Sequence, residues 1–242
     1  MMSKSLNIAV FGSSGAVGKE FTNYFLKAYH INKIFSFSRS ETNFNNGKIM
    51  EKYINYDDED TIIEAANFVK KNSTLDIVII ASGILYEGNI MPEKSLRDLT
   101  LKNFQRLFLI NTIFPALIAK YFIPLMNKEK KSVFAILSAK VGSISDNYLG
   151  GWYSYRASKS ALNMIIKNIS IEVKRKSNNI IVIGLHPGTV NSKLSEPFQS
   201  NIKNNKIFSP QYSVQKMLEV IENADESYSG KCWSWDESEI KP

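Results

Sequence analysis

Residues Ile8-Ala9-Val10-Phe11-Gly12-Ser13-Ser14-Gly15-Ala16-Val17-Gly18 decide how the rest of the chain is read. Four apolar residues without alternation suit a strand buried on both faces. The glycines that follow stand where this strand turns into a helix, because residues 17–29 carry helical spacing. In such a turn the missing side chains let backbone approach a pyrophosphate, and the helix N-terminus offers unpaired N–H groups and a positive dipole end. A tight turn alone also needs glycine, so the trio takes its meaning from its place after the first strand of an α/β pattern. Gly12, Ser14, Gly15, Val17 and Gly18 are the expected nucleotide contacts here.

Working outward, apolar runs recur at residues 34–37, 76–80, 133–137 and 180–185, and helical spacing occupies 60–71, 99–126 and 153–176. Strands alternating with helices imply right-handed crossovers and a parallel sheet with helices on both sides. The expectation is an α/β, doubly wound Rossmann-type three-layer sandwich of about seven strands. A last helix at 210–223 and a last strand at 231–235 would close it. No repeat, low-complexity run or linker divides the chain, so residues 1–242 read as one domain. The polar stretch 196–206 reads as a mobile loop or lid.

Composition is that of an ordinary globular protein, 44% hydrophobic and 22% charged. The formal charge of +7 could suggest nucleic acid. Its densest lysines, Lys128, Lys130 and Lys131, then Lys174, Arg175 and Lys176, fall instead where helices end and cations offset the dipole. No nucleic-acid partner is expected. A single cysteine, Cys232, excludes an internal disulfide and fits a reducing compartment and a buried strand thiol. The first six residues lack the apolar core of a signal peptide. The apolar stretch 113–126 holds Lys120, Pro115 and Pro124 and falls short of the ~20 residues of a bilayer span. The reading is cytoplasmic, with no membrane. His30 and His186 are the only histidines and do not make a metal site.

Where an acid at the end of the second strand would hold the ribose hydroxyls of NAD, this chain has Ser38-Arg39-Ser40. A guanidinium able to grip a 2′-phosphate favours NADP over NAD, although Arg39 could also be a solvated loop charge. Asp57, after the third strand, could accept from the adenine amino group or belong to the cap of the next helix. Tyr155 and Lys159 lie four apart at the start of a long helix, hence on one face. A phenol has a pKa near ~10. A neighbouring ammonium, joined by a positive nicotinamide ring, would lower it and suit the pair to deliver a proton to a carbonyl oxygen.

Taken together, the glycine turn, Ala81-Ser82-Gly83 after the fourth strand, Asn111, Ser138, Tyr155/Lys159 and Pro187-Gly188 resemble the short-chain dehydrogenase/reductase superfamily across nearly the whole chain. Ser138-Ala139-Lys140-Val141-Gly142-Ser143 leading to Gly150-Gly151-Trp152-Tyr153-Ser154-Tyr155-Arg156-Ala157-Ser158-Lys159 is most similar to the branch containing the bacterial C-factor, a cell-contact signalling protein. The resemblance implies Tyr155 as acid/base and Lys159 on the nicotinamide ribose. It also implies Asn111 holding a water, and Val190 and Ser192 meeting the carboxamide. Two departures stand out. Phe11-Gly12 replaces a Thr-Gly start, with the middle glycine one place early at Gly15. The second of two adjacent serines is Ala139, so Ser138, favoured by strand alignment, or Ser143, twelve residues before Tyr155, must orient the substrate carbonyl.

The implied activity is NADP(H)-dependent hydride transfer between nicotinamide and a carbonyl or alcohol. The alternative is a cofactor-binding signalling or regulatory protein with vestigial catalysis. The apolar helix 113–126 and the face with Ala157, Ala161 and Met164 suggest a homodimer or homotetramer. Trp152, Tyr153, Trp233 and Trp235 are expected in core or subunit packing, with a substrate pocket as the other possibility.

Overall fold

Strand β1 (Leu6–Phe11) has every residue but Asn7 buried, and it stands in the middle of the sheet for that reason. In the computed structural model, which describes residues 5–28, 30–201 and 207–242, β1 pairs in parallel with β2 (Ile31–Ser38) on one side and β4 (Ile77–Ile80) on the other. The chain leaves β1 outward through helix α1 (Ala16–Ala28) to β2 and β3 (Ile49–Tyr53). It then returns through α2 (Glu59–Asn72) to β4 and continues to β5 (Ser132–Leu137) and β6 (Ile180–His186). With β9 (Cys232–Ser234) and β10 (Glu239–Ile240) beyond β6, the order β10-β9-β6-β5-β4-β1-β2-β3 therefore reverses between β1 and β4. Such reversals open a crevice beyond the carboxyl ends of the strands, where Gly12 and Ala81 begin their loops.

The doubly wound expectation holds, with eight strands in the main sheet rather than about seven. The addition is β10, two residues antiparallel to β9, too short for any periodicity to show. A separate two-residue pair, β7 (Thr189–Val190) with β8 (Ile207–Phe208), follows the sixth strand. The central strands β4 and β5 are buried along their whole length, whereas the edge strand β3 is only partly covered.

Two apolar clusters cover the two faces. One gathers residues of α2, α4 (Phe114–Phe122) and α5 (Tyr153–Lys174), and the other residues of α1 and α6 (Pro210–Asn223). Phe11, the departure at the start of the glycine turn, is fully buried, stacked on Phe37 at 4.6 Å and edge-on to Phe122 at 4.8 Å. The segment read as one helix over 99–126 is α3 (Leu101–Phe108), a π-helical turn (Leu109–Ile113), α4 and a 3-10 turn to Leu125. Counted through, Leu101–Leu125 is long and apolar enough to cross a membrane, contrary to the shorter count. Half of its most apolar window is buried against the rest of the fold, and its packing on α2 and α5 makes it a core element.

Lys131 donates to the Glu222 carbonyl in the last turn of α6, as a helix-end cation should, whereas Lys130, Lys174 and Lys176 pair with Asp76, Glu226 and Glu172. Cys232 is buried on β9, and burial pushes its thiol up to about 12. The polar stretch expected as a lid begins as a 3-10 helix, Glu196–Asn201. Residues 202–206 of it, like Tyr29 at the expected end of the first helix, lie outside the described residues.

Candidate active site

The glycine turn closes tightly on itself. A Cβ at Gly18 would stand 2.3 Å from the Gly12 carbonyl oxygen, and one at Gly12, whose φ is +78°, would stand 2.8 Å from the Ser82 nitrogen. Only glycine permits that packing of β1, the turn and the loop after β4. Ser13 is locked inward, its hydroxyl donating to the Phe37 carbonyl. Ser14 and Gly15 are exposed, Val17 half-buried, at the start of α1. That leaves an open helix N-terminus at the crevice, the arrangement that suits a phosphate.

Below it, the loop after β4 meets the π-helical turn and α5. Asn111 is fully buried: its Oδ1 accepts from Ile84 N–H at 2.9 Å, and its Nδ2 donates to the Ile84 carbonyl at 2.9 Å and to Ser158 Oγ at 3.1 Å. Ser158 Oγ in turn donates to the Tyr155 carbonyl at 2.8 Å. The side chain expected to hold a water is thus engaged by protein partners, and the turn that it fixes carries Tyr155. Gly83 lies beside this knot, since a Cβ there would stand 3.4 Å from Asn111 Oδ1 and 3.6 Å from Lys159 Nζ. The Ser82 hydroxyl is buried with no well-formed hydrogen bond among the described residues, its polar neighbour being the Tyr56 phenol.

Tyr155 and Lys159 are both buried on α5, and Lys159 Nζ donates to the Leu137 carbonyl at the end of β5 at 2.9 Å. Burial lowers the Lys159 ammonium to about 8 and pushes the Tyr155 phenol up to about 12. The sequence reading expects the ammonium and a bound, positive nicotinamide ring together to pull the phenol below its ordinary value; in the chain alone desolvation sets the direction, upward.

The two candidate serines part ways. Ser138 Oγ donates to Asn163 Oδ1 at 2.6 Å and also reaches the Cys232 thiol. Ser143 borders a groove of about 570 Å³ shared with His186, Trp235, Lys140 and Asp236. There it accepts from Asp146 N–H and meets Ser145 Oγ. His186 Nδ1 is buried without a partner, and burial lowers its imidazole to about 4. After β6, Pro187 O accepts from Ser213, and Gly188, at φ +73°, packs where a Cβ would stand 2.6 Å from the Phe208 ring. Val190 is buried, its carbonyl accepting from Ser192 and Ser195. Trp152 packs on Tyr155 and on Phe198, which also meets Tyr86. Of the aromatics expected in core or subunit packing, Trp152 thus stands beside Tyr155, and Trp235 lines the groove that Ser143 borders.

At the outer rim, Arg39 lies 4.5 Å over the Tyr56 ring and pairs with Glu87 at 3.3 Å. Asp57 is bound by Arg106 at 2.7 Å, and the cap of α2 comes from its neighbour Asp58. The cap reading of Asp57 is corrected accordingly. The Arg106 hydrogen bond holds the Glu87 carboxyl below the usual carboxylate range. Sequence reading missed Glu87, Arg106 and Ser158. Only Ser158 carried a signal, its place inside the Tyr155-to-Lys159 stretch. Among the described residues no group of three or more His, Cys, Asp or Glu could hold a metal.

Comparison with known proteins gives this geometry a context. The family model described as short chain dehydrogenase matches residues 7–203. The chain is 30% identical over 167 residues to 1-hydroxy-2-glutathionyl-2-methyl-3-butene dehydrogenase of Rhodococcus sp. (strain AD45), covering 69% of this chain and 68% of that protein. It is 27% identical over 146 residues to C-signal of Myxococcus xanthus, covering 60% and 82%. Among solved structures, the NADPH-bound carbonyl reductase from chicken fatty liver superposes with a TM-score of 0.86 at 23% identity, over 99% of this chain and 95% of that one. Carbonyl reductase Sniffer of D. melanogaster superposes with 0.85 at 20%, over 99% and 100%.

Proposed function

The chain belongs to the short-chain dehydrogenase family, with a C-factor-like relative among its matches, and on that premise we propose that it is an NADP(H)-dependent oxidoreductase of carbonyl and alcohol substrates with Tyr155 as the proton donor. The observation that carries the reading is the convergence of Asn111 and Gly83 on Lys159, which shares a face of α5 with Tyr155.

The residues present fit a dinucleotide. The compact glycine cradle, the exposed start of α1 and the loosely partnered Ser82 hydroxyl are what a pyrophosphate and its ribose would meet. Gly12, Ser14, Gly15, Val17 and Gly18 would take the pyrophosphate, and Ala81, Ser82 and Gly83 would floor the site. Pro187, Gly188, Val190 and Ser192 would bound the carboxamide. NADP over NAD rests on Arg39, on the absence of an acid between Ser38 and Ser40, and on the NADPH of the chicken enzyme. Asp57 would reach the adenine only by loosening its pair with Arg106.

When bound, the nicotinamide supplies or accepts the hydride. The chain supplies the proton. With a pKa near 12, the Tyr155 phenol is protonated at neutral pH and able to donate to an oxygen that is gaining negative charge. Lys159, with a pKa near 8, is mostly ammonium there. Its charge, four residues along the same face of α5, would stabilise the phenolate left behind, and its protons not spent on Leu137 can hold ribose hydroxyls. Asn111 and Ser158 keep the first turn of α5 in register with the loop after β4. Of the two serines we assign the carbonyl contact to Ser143, since the Ser138 hydroxyl is spent on Asn163 at 2.6 Å whereas Ser143 has only longer contacts, with Ser145 at 3.3 Å and Asp146 N–H at 3.2 Å. The exposed Ile113, Met164 and Ile171 suit a homodimer or homotetramer, and a lone buried cysteine suits the cytoplasm.

The test is a panel of ketones, aldehydes and alcohols followed at the nicotinamide absorbance with NADPH or NADP, and with NADH or NAD. Turnover with a preference for the phosphorylated form is expected. A second reading, a cofactor-binding regulator, draws on Ala139 in place of the second serine and on the similarity to C-signal. Submicromolar NADPH binding with no turnover across the panel would select it.

A further inference from the structure

Glu93 is an ionisable side chain that the mechanism above does not use, and it is 1% exposed. Among the described residues no lysine or arginine pairs with it. A carboxylate taken out of water needs hydrogen bonds to offset the cost, and its partners are informative. Glu93 Oε2 accepts from the Ser154 N–H at 3.2 Å, and Oε1 accepts from Asn103 Nδ2 at 3.4 Å. Its backbone carbonyl accepts from the Trp152 N–H at 2.5 Å. Residues 150–152 pass so close that a Cβ on Gly151 would stand 3.4 Å from the same carbonyl oxygen.

These contacts address a deficit at the start of α5. The residue in the N-cap position, Trp152, is in the left-handed region at φ 51° and provides no side-chain cap. The first N–H groups of any helix lack intrahelical partners, and one is ordinarily taken by a Ser, Thr, Asp or Asn at the cap. Here a carboxylate from the loop after β4, 61 residues earlier, does it, with its negative charge at the positive end of the dipole. Tyr155 is the next residue after Ser154, and Trp152, whose backbone Glu93 also holds, packs on the Tyr155 ring at 6.2 Å.

We propose that Glu93 is a positioning residue, a cap supplied from a distant segment of the same chain that sets the direction of Tyr155 and ties the loop of residues 84–95 to the catalytic helix. The proposal rests on the oxidoreductase reading for its kinetic part only. Loss of the cap frees the first turn of α5, and displacement of a reacting group by about 1 Å costs roughly 100-fold in rate.

The experiment compares Glu93→Leu, Glu93→Gln and the unaltered protein in steady-state kinetics, NADPH binding and amide hydrogen exchange of residues 151–158, where local opening is read directly. Glu93→Leu should lower kcat about 10- to 100-fold, leave the NADPH Kd within about twofold and speed exchange in 151–158 at least about tenfold. Glu93→Gln keeps an acceptor oxygen and should restore kcat to within about threefold and exchange to the original rate. A folded Glu93→Leu with unchanged kcat and unchanged exchange overturns the proposal, and so does a Glu93→Gln as impaired as Glu93→Leu. Where Glu93→Leu does not fold, Glu93→Asp, a methylene too short to reach Ser154, carries the same expectation and the same overturning result. Should the oxidoreductase reading itself fail, the exchange data still judge the cap.

Discussion

On one flank of the crossover point, around Tyr155, the polar groups are buried and held mostly by backbone: Lys159 on Leu137, Asn111 on Ile84 and Ser158 on Tyr155. On the other, around Arg39, the groups are charged, partly exposed and paired with one another, Arg39 with Glu87 and Arg106 with Glu87 and Asp57. In the first region desolvation dominates, which is why Lys159, Tyr155 and His186 all shift toward their neutral forms. In the second, hydrogen bonds to opposite charges keep Glu87 ionised. The two regions differ as a buried centre, where we place the chemistry, differs from a partly exposed rim whose ion pairs would have to open to admit a phosphorylated ribose.

The contrast breaks most visibly at Lys159. Lys159→Met should lower kcat roughly 100- to 1,000-fold while thermal stability holds or rises, because a buried ammonium is costly to keep. A stability loss with kcat intact would reverse the assignment. His186 sharpens it next. Its folded pKa of about 4 lies below the ordinary 6.5, so on acidification the unfolded chain takes up the proton first. The associated stability is complete above pH 6.5, erodes as pH falls and is gone below about 4, a loss of at most ~2 kcal/mol by pH 5. Urea midpoints at pH 7 and pH 5 for the protein and His186→Asn should differ in slope, the variant being flatter; parallel slopes would contradict the burial of that ring. The rim should give the smallest effect. Arg39→Ala is expected to weaken NADPH about tenfold, near 1.4 kcal/mol, leave NADH within about twofold, and show a difference that shrinks in high salt. Equal losses for both nucleotides would remove Arg39 from the 2′-phosphate.

The buried centre was also the more legible region in the sequence. Unbroken runs such as Ile77–Ile80 mark strands covered on both faces, and the glycines of the first turn name their own positions because nothing larger fits there. Tyr155 and Lys159 follow from helical spacing once the resemblance supplies context. What stayed hidden depends on contacts between distant parts of the chain. Glu93 meets Ser154 across 61 residues and Arg106 meets Asp57 across 49, and no local pattern announces either. The π-helical turn at Asn111 changes hydrogen bonding without changing composition, so residues 99–126 read as one uninterrupted helix. Ser138 could be placed on its strand, but not its hydroxyl, whose direction depends on Asn163 opposite.

The central claim is that Tyr155 gives the proton from a buried, protonated phenol, and it is met most directly by single-turnover oxidation of bound NADPH by the best ketone or aldehyde of the panel in Tyr155→Phe, alongside the NADPH Kd. Removing one oxygen from a side chain that is 8% exposed should leave the Kd within about twofold and slow the transfer at least ~100-fold. Transfer at the original rate with NADPH still bound would contradict it.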